Sequence, residues 1–197
     1  AFFDAIATGD AANDGASAAA EGLCGTDADA DGPVIIDVDD VKPGDFGGAQ
    51  FAFELCDNPG FVWLTGALRD ASENGVTEPE ADDPDEEAEV VELLDEIQVA
   101  YGVGPINGDT SAFEATQAGF QPTNQQTLRE FLAAASSDTG LPLDGDVPAE
   151  EGGGTGRPCF SGGNQETSSV HQVSVVWWLP INHGNQVQTD TVSFDLG

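Results

Sequence analysis

Basic residues are scarce in this sequence, and methionine is missing from it. Of the 197 residues, 37 are Asp or Glu and only four are Lys or Arg, so the formal net charge at pH 7 is −33. A surface this negative repels phosphate backbones and anionic headgroups, which excludes nucleic acid and acidic lipid as natural partners. No apolar run approaches the roughly 18 residues of a transmembrane helix, so no membrane span is expected.

Lysine occurs once, at position 42, and the carboxylates are spread along the chain. Apolar residues make up 39% of the sequence, which is too much for a disordered acidic chain. In about 1 M salt the screening length falls to roughly 3 Å, and repulsion between the carboxylates mostly vanishes. The composition therefore predicts a folded protein adapted to molar salt, as in extreme halophiles. The alternative is an ordinary acidic protein, although such proteins keep more lysine.

The absence of methionine also indicates how the chain was processed after translation. A primary translation product starts with Met, so we expect a processed chain that begins at Ala1 after removal of a signal peptide. An extracellular, cell-surface location is the corresponding expectation.

The three cysteines, Cys24, Cys56 and Cys159, form no Cys-x-x-Cys pair, so a zinc site is poorly supported. In an exported protein, one disulfide plus one free thiol is the simplest arrangement. Cys56 ends a strand-like run and Cys159 lies in a Gly-rich loop, which favours a disulfide between Cys56 and Cys159. Three free thiols are the alternative.

Alternating and β-branched apolar runs predict strands near both ends of the chain. The middle predicts two helices: one from Asp83 to Tyr101 along an i, i+3, i+4, i+7 apolar stripe, and one that begins with a capping box of Thr127 and Glu130 and ends before Gly140. The predicted strands cover residues 34–38, 51–56, 61–69, 171–179 and 187–196.

Strands far apart in sequence have to pair if the two β-rich ends share one core. The predicted fold is therefore mainly β, a jelly-roll-like β-sandwich with two helices inserted in the middle of the chain. The sandwich domain would span residues 21–197, with the helical insertion at about 83–140. Residues 8–20 are rich in Ala, Gly, Asp and Ser and would form a flexible spacer that leads to an apolar tip at residues 1–7.

The apolar tip carries Phe2, Phe3 and Ile6, which would be exposed if the tip were left alone. Their burial could contribute on the order of 1.5–3 kcal/mol each. A strand added to an open sheet edge also satisfies backbone groups on both strands. If that edge belongs to another subunit, the head-to-tail contact grows into a filament. The alternative is that the tip packs on its own domain.

Several segments resemble the TasA/camelysin-like family, whose haloarchaeal members form filaments (bundling pili). They are the start Ala1-Phe2-Phe3-Asp4-Ala5-Ile6, the turn Lys42-Pro43-Gly44-Asp45 before a Phe-rich strand, and the end, with Trp177-Trp178-Leu179-Pro180, Gly184-Asn185 and Gln188-Thr189-Asp190-Thr191-Val192-Ser193-Phe194. The similarity covers the first 70 and the last 30 residues, and the segments occur in the family's order.

The resemblance implies a jelly-roll subunit that polymerises outside the cell by donor-strand complementation. In that arrangement the N-terminal segment of one subunit fills a groove of the next. The subunit-contact residues would be Ala1, Phe2, Phe3, Asp4, Ala5 and Ile6. The partners would be copies of the chain and neighbouring filaments in bundles, with a role in biofilm or cell–cell adhesion.

The residues offer little for metal or catalytic chemistry. Asp27, Asp29 and Asp31 match the first half of a calcium loop, Asp-x-Asp-x-Asp-Gly, but the twelfth position is Val38 instead of a bidentate carboxylate. Calcium is thus a candidate ligand, and a solvated acidic loop is the alternative. Two histidines, His171 and His183, occur without a His-Glu-x-x-His motif.

The sequence therefore predicts a structural filament subunit and not an enzyme. Two alternatives from other classes stay open: a secreted metal-dependent protease, and a monomeric cell-surface binding module.

Overall fold

The computed structural model describes residues 2–9, 34–85, 87, 89–104, 125–151, 156–163 and 170–197. Three short helices lie within these ranges: α1 Glu78–Ala81, α2 Leu93–Glu96 and α3 Leu128–Ala135. The strands are β1 Phe2–Gly9, β2 Val34–Val38, β3 Phe46–Cys56, β4 Val62–Leu64, β5 Gly66–Ser72, β6 Gln98–Val103, β7 Gln126–Thr127, β8 Leu141–Leu143, β9 Gly162–Gly163, β10 Val170–Trp178 and β11 Thr191–Leu196.

The strands form a large sheet, a small sheet and a two-stranded ribbon. The large sheet has the order β1-β3-β10-β6-β7, with β9 also paired to β3. The small sheet has the order β2-β11-β5, and β4 pairs with β8. The fold is mainly β, with curled sheets and few helices, as predicted for a β-sandwich carrying two helices. Among the described residues, no helix reaches the length and apolar character needed to cross a bilayer.

The core lies between the two sheets and follows the two-residue period of the strands. Along β3, Ala49, Phe51 and Phe53 are buried, while Gln50 and Ala52 between them are half-buried. In the small sheet, β11 contributes Val192, Phe194 and Leu196 to the same buried cluster. Helix α3 closes one side of the same core with its apolar stripe, Leu128, Phe131, Leu132 and Ala135.

The capping box predicted for α3 is confirmed. Thr127 Oγ1 accepts a hydrogen bond from the Glu130 backbone N–H at 3.2 Å, and the Glu130 carboxylate accepts one from the Thr127 N–H at 3.2 Å. Gly140 has φ +65°, and the predicted turn at residues 42–45 has Gly44 at φ +93°. Both glycines occupy the left-handed region that other residues avoid.

The predicted helix from Asp83 to Tyr101 is wrong. Of the residues described in that segment, only Leu93–Glu96 is helical. Ile97 is extended, and the chain continues as β6 between β10 and β7. Asp83 caps no helix; its carboxylate accepts the Asn185 backbone N–H at 2.7 Å. The segment 83–140 is consequently not a separate helical insertion, since it supplies a strand of the large sheet.

The predicted strand at residues 61–69 is divided in two. β4 pairs with β8, whereas β5 pairs with β11 in the small sheet. The break falls at Thr65, whose backbone N–H and C=O both bond the backbone of Gly197, at 2.8 and 2.9 Å. Thr65 thus extends the β5–β11 ladder by one residue, whereas Leu64 before it pairs with Leu141 of β8.

The disulfide predicted between Cys56 and Cys159 is wrong. Cys159 is a buried free thiol, whereas Cys56 is disulfide-bonded. The expected count of one disulfide and one free thiol agrees with these two states. The third cysteine, Cys24, lies outside the described residues.

Candidate functional site

The N-terminal strand occupies one edge of the large sheet. β1 runs antiparallel to β3 over its whole length, from Phe2 opposite Glu54 to Gly9 opposite Gly47. The other side of β3 pairs with β10 over Phe46 to Glu54. If β1 were removed, the backbone groups of this β3 edge would lose their partners, which is the condition that strand addition relieves.

The register pairs the residues of β1 alternately with core-facing and intervening residues of β3. Phe3, Ala5 and Ala7 lie opposite Phe53, Phe51 and Ala49, which are the core-facing positions of β3. The intervening positions of β1 lie opposite Glu54, Ala52, Gln50 and Gly48. β1 thus completes the large sheet beside residues that line the main core.

Five of the six predicted subunit-contact residues, Phe2, Phe3, Asp4, Ala5 and Ile6, lie in this strand, and Ala1 lies outside the described residues. The strand continues to Gly9, two residues beyond the predicted end of the tip at residue 7. In this single chain, the partner of β1 is the chain's own β3, which is the alternative that the sequence left open. Residues 10–33, which connect β1 to β2, lie outside the described residues.

The last pair of the β1–β3 ladder, Gly9 with Gly47, requires a glycine on β3. A Cβ atom on Gly47 would lie 2.3 Å from the indole ring of Trp177, its cross-strand partner on β10. Such a distance is far inside van der Waals contact, so any side chain at position 47 would displace the ring. Trp177 therefore packs directly over Gly47 of β3, the strand that pairs with β1.

A second candidate site lies elsewhere, where three carboxylates meet. Glu73 follows β5, Glu92 precedes α2 and Asp190 precedes β11. One oxygen from each of them lies within 4.8 Å of the others. Asp190 has no exposed surface, Glu92 is 8% exposed and Glu73 is half-buried.

The electrostatics of these carboxylates are unfavourable to ionisation. Burial, and after it the neighbouring Glu73, raises the pKa of Asp190 from 3.8 to about 8. Burial also raises the pKa of Glu92. Charged carboxylates are destabilised when water is removed and like charges are close. Three oxygen donors with one sign of charge are the ligand set that hard cations prefer.

The predicted calcium residues Asp27, Asp29 and Asp31 lie outside the described residues. The two histidines are not part of the carboxylate group. His183 Nε2 lies 2.8 Å from Glu96, and His171 Nε2 lies 2.9 Å from the carbonyl oxygen of Ser161.

Ser161, His171 and Asp146 are close together but are not connected as a nucleophilic triad. Ser161 Oγ donates to Asp146 at 2.7 Å, and His171 contacts the Ser161 carbonyl oxygen instead of its hydroxyl. Burial opposes ionisation of Asp146, but the Ser161 hydrogen bonds outweigh it and lower the pKa of this carboxyl. Since a serine nucleophile needs its base on Oγ, this group supports a structural contact and offers no basis for a hydrolase.

Sequence reasoning missed the group of Glu73, Glu92 and Asp190. Its members are up to 117 residues apart in the chain (190 − 73) and belong to no motif. The chain has 37 acidic residues, and the sequence does not distinguish those that become buried from those that stay in solvent.

Comparison with known proteins adds no family assignment. The chain matches no protein-family model, and no curated protein is significantly similar to it. The class that the fold defines is a β-sandwich whose large sheet is completed by an N-terminal edge strand.

Proposed function

We propose that this protein is a structural subunit of an extracellular filament of a halophile, and that its N-terminal strand completes the large sheet of the next subunit. The observation that carries the proposal is the position of β1. Among the described residues, β1 is the first strand, it lies at a sheet edge, and β3 is its one neighbour in that sheet. The family-like segments at both ends of the sequence support the same function.

The chain length between β1 and the domain permits exchange between subunits. Residues 10–33 give 24 residues (33 − 10 + 1), which reach roughly 80 Å when fully extended. The acceptor edge of a neighbouring copy offers the same hydrogen bonds in the same register. Exchange of an identical element between subunits has a low energetic cost, and a head-to-tail exchange that does not close produces a filament.

Concentration and salt would decide between a closed chain and a filament. Closure of β1 on its own β3 is intramolecular, so dilution favours it. Two subunits that each carry a formal charge of −33 repel at low ionic strength. Filament growth is therefore favoured by high protein concentration in molar salt, and lateral bundling needs the same screening.

A cross-linking experiment tests which chain donates the strand. Asp4 and Ala52 are cross-strand partners of β1 and β3, and partners in an antiparallel pair lie within disulfide range. We would prepare Asp4→Cys and Ala52→Cys separately in a Cys159→Ser background, assemble their mixture in 3 M NaCl, oxidise it and separate it on a non-reducing gel. Covalent dimers are expected from the mixture, because each bond joins two chains.

The Asp4→Cys/Ala52→Cys double variant is the control for the register. In a filament it forms a covalent ladder, whereas in a self-closed chain it forms only an internal bond. If the double variant is oxidised as a monomer and the mixture stays uncross-linked, the strand exchange is wrong. Deletion of residues 1–9 should leave folded monomers, and electron microscopy should show no filaments.

The alternatives predict different outcomes in the same conditions. A monomeric binding module sediments as a single chain in 3 M NaCl at every concentration. A metal-dependent protease would cleave casein when zinc is added. A filament subunit would leave casein intact with and without zinc.

A further inference from the structure

Three buried carboxylates lie together without positive charge. Glu73, Glu92 and Asp190 come from three separate segments, at the end of β5, before α2 and before β11. Within the described part of the chain, they are the one group of three or more acidic, histidine or cysteine side chains with oxygen, nitrogen or sulfur atoms close enough to hold one ion.

Each of these carboxylates is oriented by a hydrogen bond to one of its oxygens. Glu73 Oε1 accepts from Thr189 Oγ1 at 2.8 Å, Glu92 Oε1 from the Glu87 N–H at 3.0 Å, and Asp190 Oδ2 from the Leu93 N–H at 2.8 Å. Backbone donors therefore hold Glu92 and Asp190 in place, and the Thr189 hydroxyl is the donor next to Glu73.

The second oxygen of each carboxylate has no donor. Glu73 Oε2, Glu92 Oε2 and Asp190 Oδ1 are buried and find no hydrogen-bond partner among the described residues. Asp190 is fully buried and Glu92 is more than nine-tenths buried, so bulk water does not substitute for the missing donors. A buried, unpartnered carboxylate oxygen is costly to the fold, which points to a ligand that the protein itself does not supply.

The surroundings contain more acceptors than protons. Thr189 Oγ1 lies within hydrogen-bonding distance of oxygens of Glu73, Gly75 and Glu80, but a hydroxyl has one proton to donate. The region is thus rich in oxygen and poor in donors, as cation sites in proteins are.

The basic side chains of the protein are all engaged elsewhere. The chain has four of them, and each forms an ion pair with a carboxylate outside the cluster. The pairs are Lys42 with Asp40, Arg69 with Asp195, Arg129 with Asp95 and Arg157 with Asp144. No lysine or arginine is left to neutralise the cluster, so the counter-charge has to come from solution.

We propose that Glu73, Glu92 and Asp190 bind one divalent cation of the calcium type, which ties the end of β5, the start of α2 and the start of β11 together. Calcium accepts six to eight oxygen ligands at about 2.3–2.6 Å in flexible geometry, so three carboxylates, each able to bind through one or two oxygens, suit it. Magnesium demands a near-ideal octahedron at about 2.0–2.1 Å, and a monovalent ion would leave two negative charges buried.

The competing explanation is a proton shared between two of the carboxylates. A protonated Asp190 could donate to Glu73 and satisfy both of their free oxygens, but Glu92 Oε2 would remain without a partner. A cation satisfies all three at once.

Thermal unfolding of the full chain in 3 M NaCl, after treatment with EDTA, tests the proposal. Calcium at 5 mM should raise Tm by about 5 °C or more if that concentration is roughly 100 times Kd. Magnesium at 5 mM should raise it less. Isothermal titration with CaCl2 should show one site per chain.

Three sets of variants locate the site. Asp190→Asn and Glu92→Gln should lose the calcium-dependent increment, while their Tm in EDTA equals or exceeds that of the parent because buried repulsion is removed. Asp138→Asn, at an exposed position, is the matched control and should keep the increment. A combined Asp27→Asn, Asp29→Asn and Asp31→Asn variant should keep it as well.

The proposal is overturned if calcium leaves Tm of the parent protein unchanged, which is the result for a shared proton. It is also overturned if Asp190→Asn retains the increment or if the Asp27, Asp29 and Asp31 variant loses it.

Discussion

Asp190 shows how strongly its neighbourhood changes an ordinary residue. It is one of 37 acidic residues, yet it is fully buried next to Glu73 and Glu92. Burial and Glu73 raise its pKa to about 8, whereas the half-buried Asp83, which accepts hydrogen bonds from the backbone of Asn185 and Asp85, has a lowered pKa. At the scale of residues, therefore, the surroundings of a carboxylate determine its chemistry.

The raised pKa of Asp190 predicts a pH dependence of the metal-free protein. The folded state holds the Asp190 proton up to about pH 8, while the unfolded chain releases it near 3.8. Between these values the folded state binds more protons, so the free energy of unfolding falls as pH rises, by at most about 1.4 kcal/mol per pH unit for one proton. Denaturant unfolding in EDTA and 3 M NaCl at pH 5, 6.5 and 8 measures this fall in the free energy of unfolding.

The Asp190→Asn variant should lose this decline, and Asp138→Asn should retain it. An equal decline in parent and Asp190→Asn proteins would show that another group is responsible.

Helix α3 illustrates an element whose formation is encoded locally. The capping box satisfies two backbone groups at its start, and the apolar stripe at Leu128, Phe131, Leu132 and Ala135 is buried. The segment from Asp83 to Tyr101 behaves differently. Its apolar spacing predicts a helix, yet the chain is helical at Leu93–Glu96 and then continues as β6. There the pairing of β6 with β10 decides, since it provides a ladder from Gln98 to Val103.

The cap of α3 supplies a prediction at this scale. Thr127→Ala removes the oxygen that accepts the Glu130 N–H and should lower the free energy of unfolding by about 1 kcal/mol. Thr127→Ser keeps that oxygen and should unfold almost as the parent does. Urea denaturation of the three proteins in 3 M NaCl provides the comparison, and equal losses for Ser and Ala would contradict the capping contribution.

For the whole molecule, net charge is the dominant quantity. A formal charge of −33 on one compact chain produces self-repulsion that extends over roughly 30 Å at 0.01 M salt but only about 3 Å at 1 M. The four ion pairs are mostly solvent-exposed and contribute little against it.

We therefore expect Tm to rise steeply between 0.1 and 3 M NaCl. Sucrose at matched osmolality tests the cause, because it favours compact states without screening charge. Screening is supported if KCl acts like NaCl and sucrose restores only a small part of the Tm. A Tm that is independent of salt would refute adaptation to molar salt.

The parts of the fold that could be predicted are those with a local cause. The strand periodicity of β3, the Gly44 turn and the cap of α3 depend on neighbouring residues and were read correctly. The division at Thr65 and the free thiol of Cys159 depend on segments distant in the chain, and both were missed. The carboxylate cluster was missed for the same reason, since nothing near Glu73 in the sequence indicates that Asp190 will lie beside it.

The sequence by itself determined the charge of this protein, its β-rich composition and the presence of an apolar N-terminal strand, because these properties are sums over residues or short-range patterns. Only the tertiary structure decided that β1 lies along β3, that β6 belongs to the large sheet and that three carboxylates share one buried place. Such contacts form when segments distant in the chain pack together and exclude water. The free energy gained depends on both segments, so neither segment alone predicts the contact.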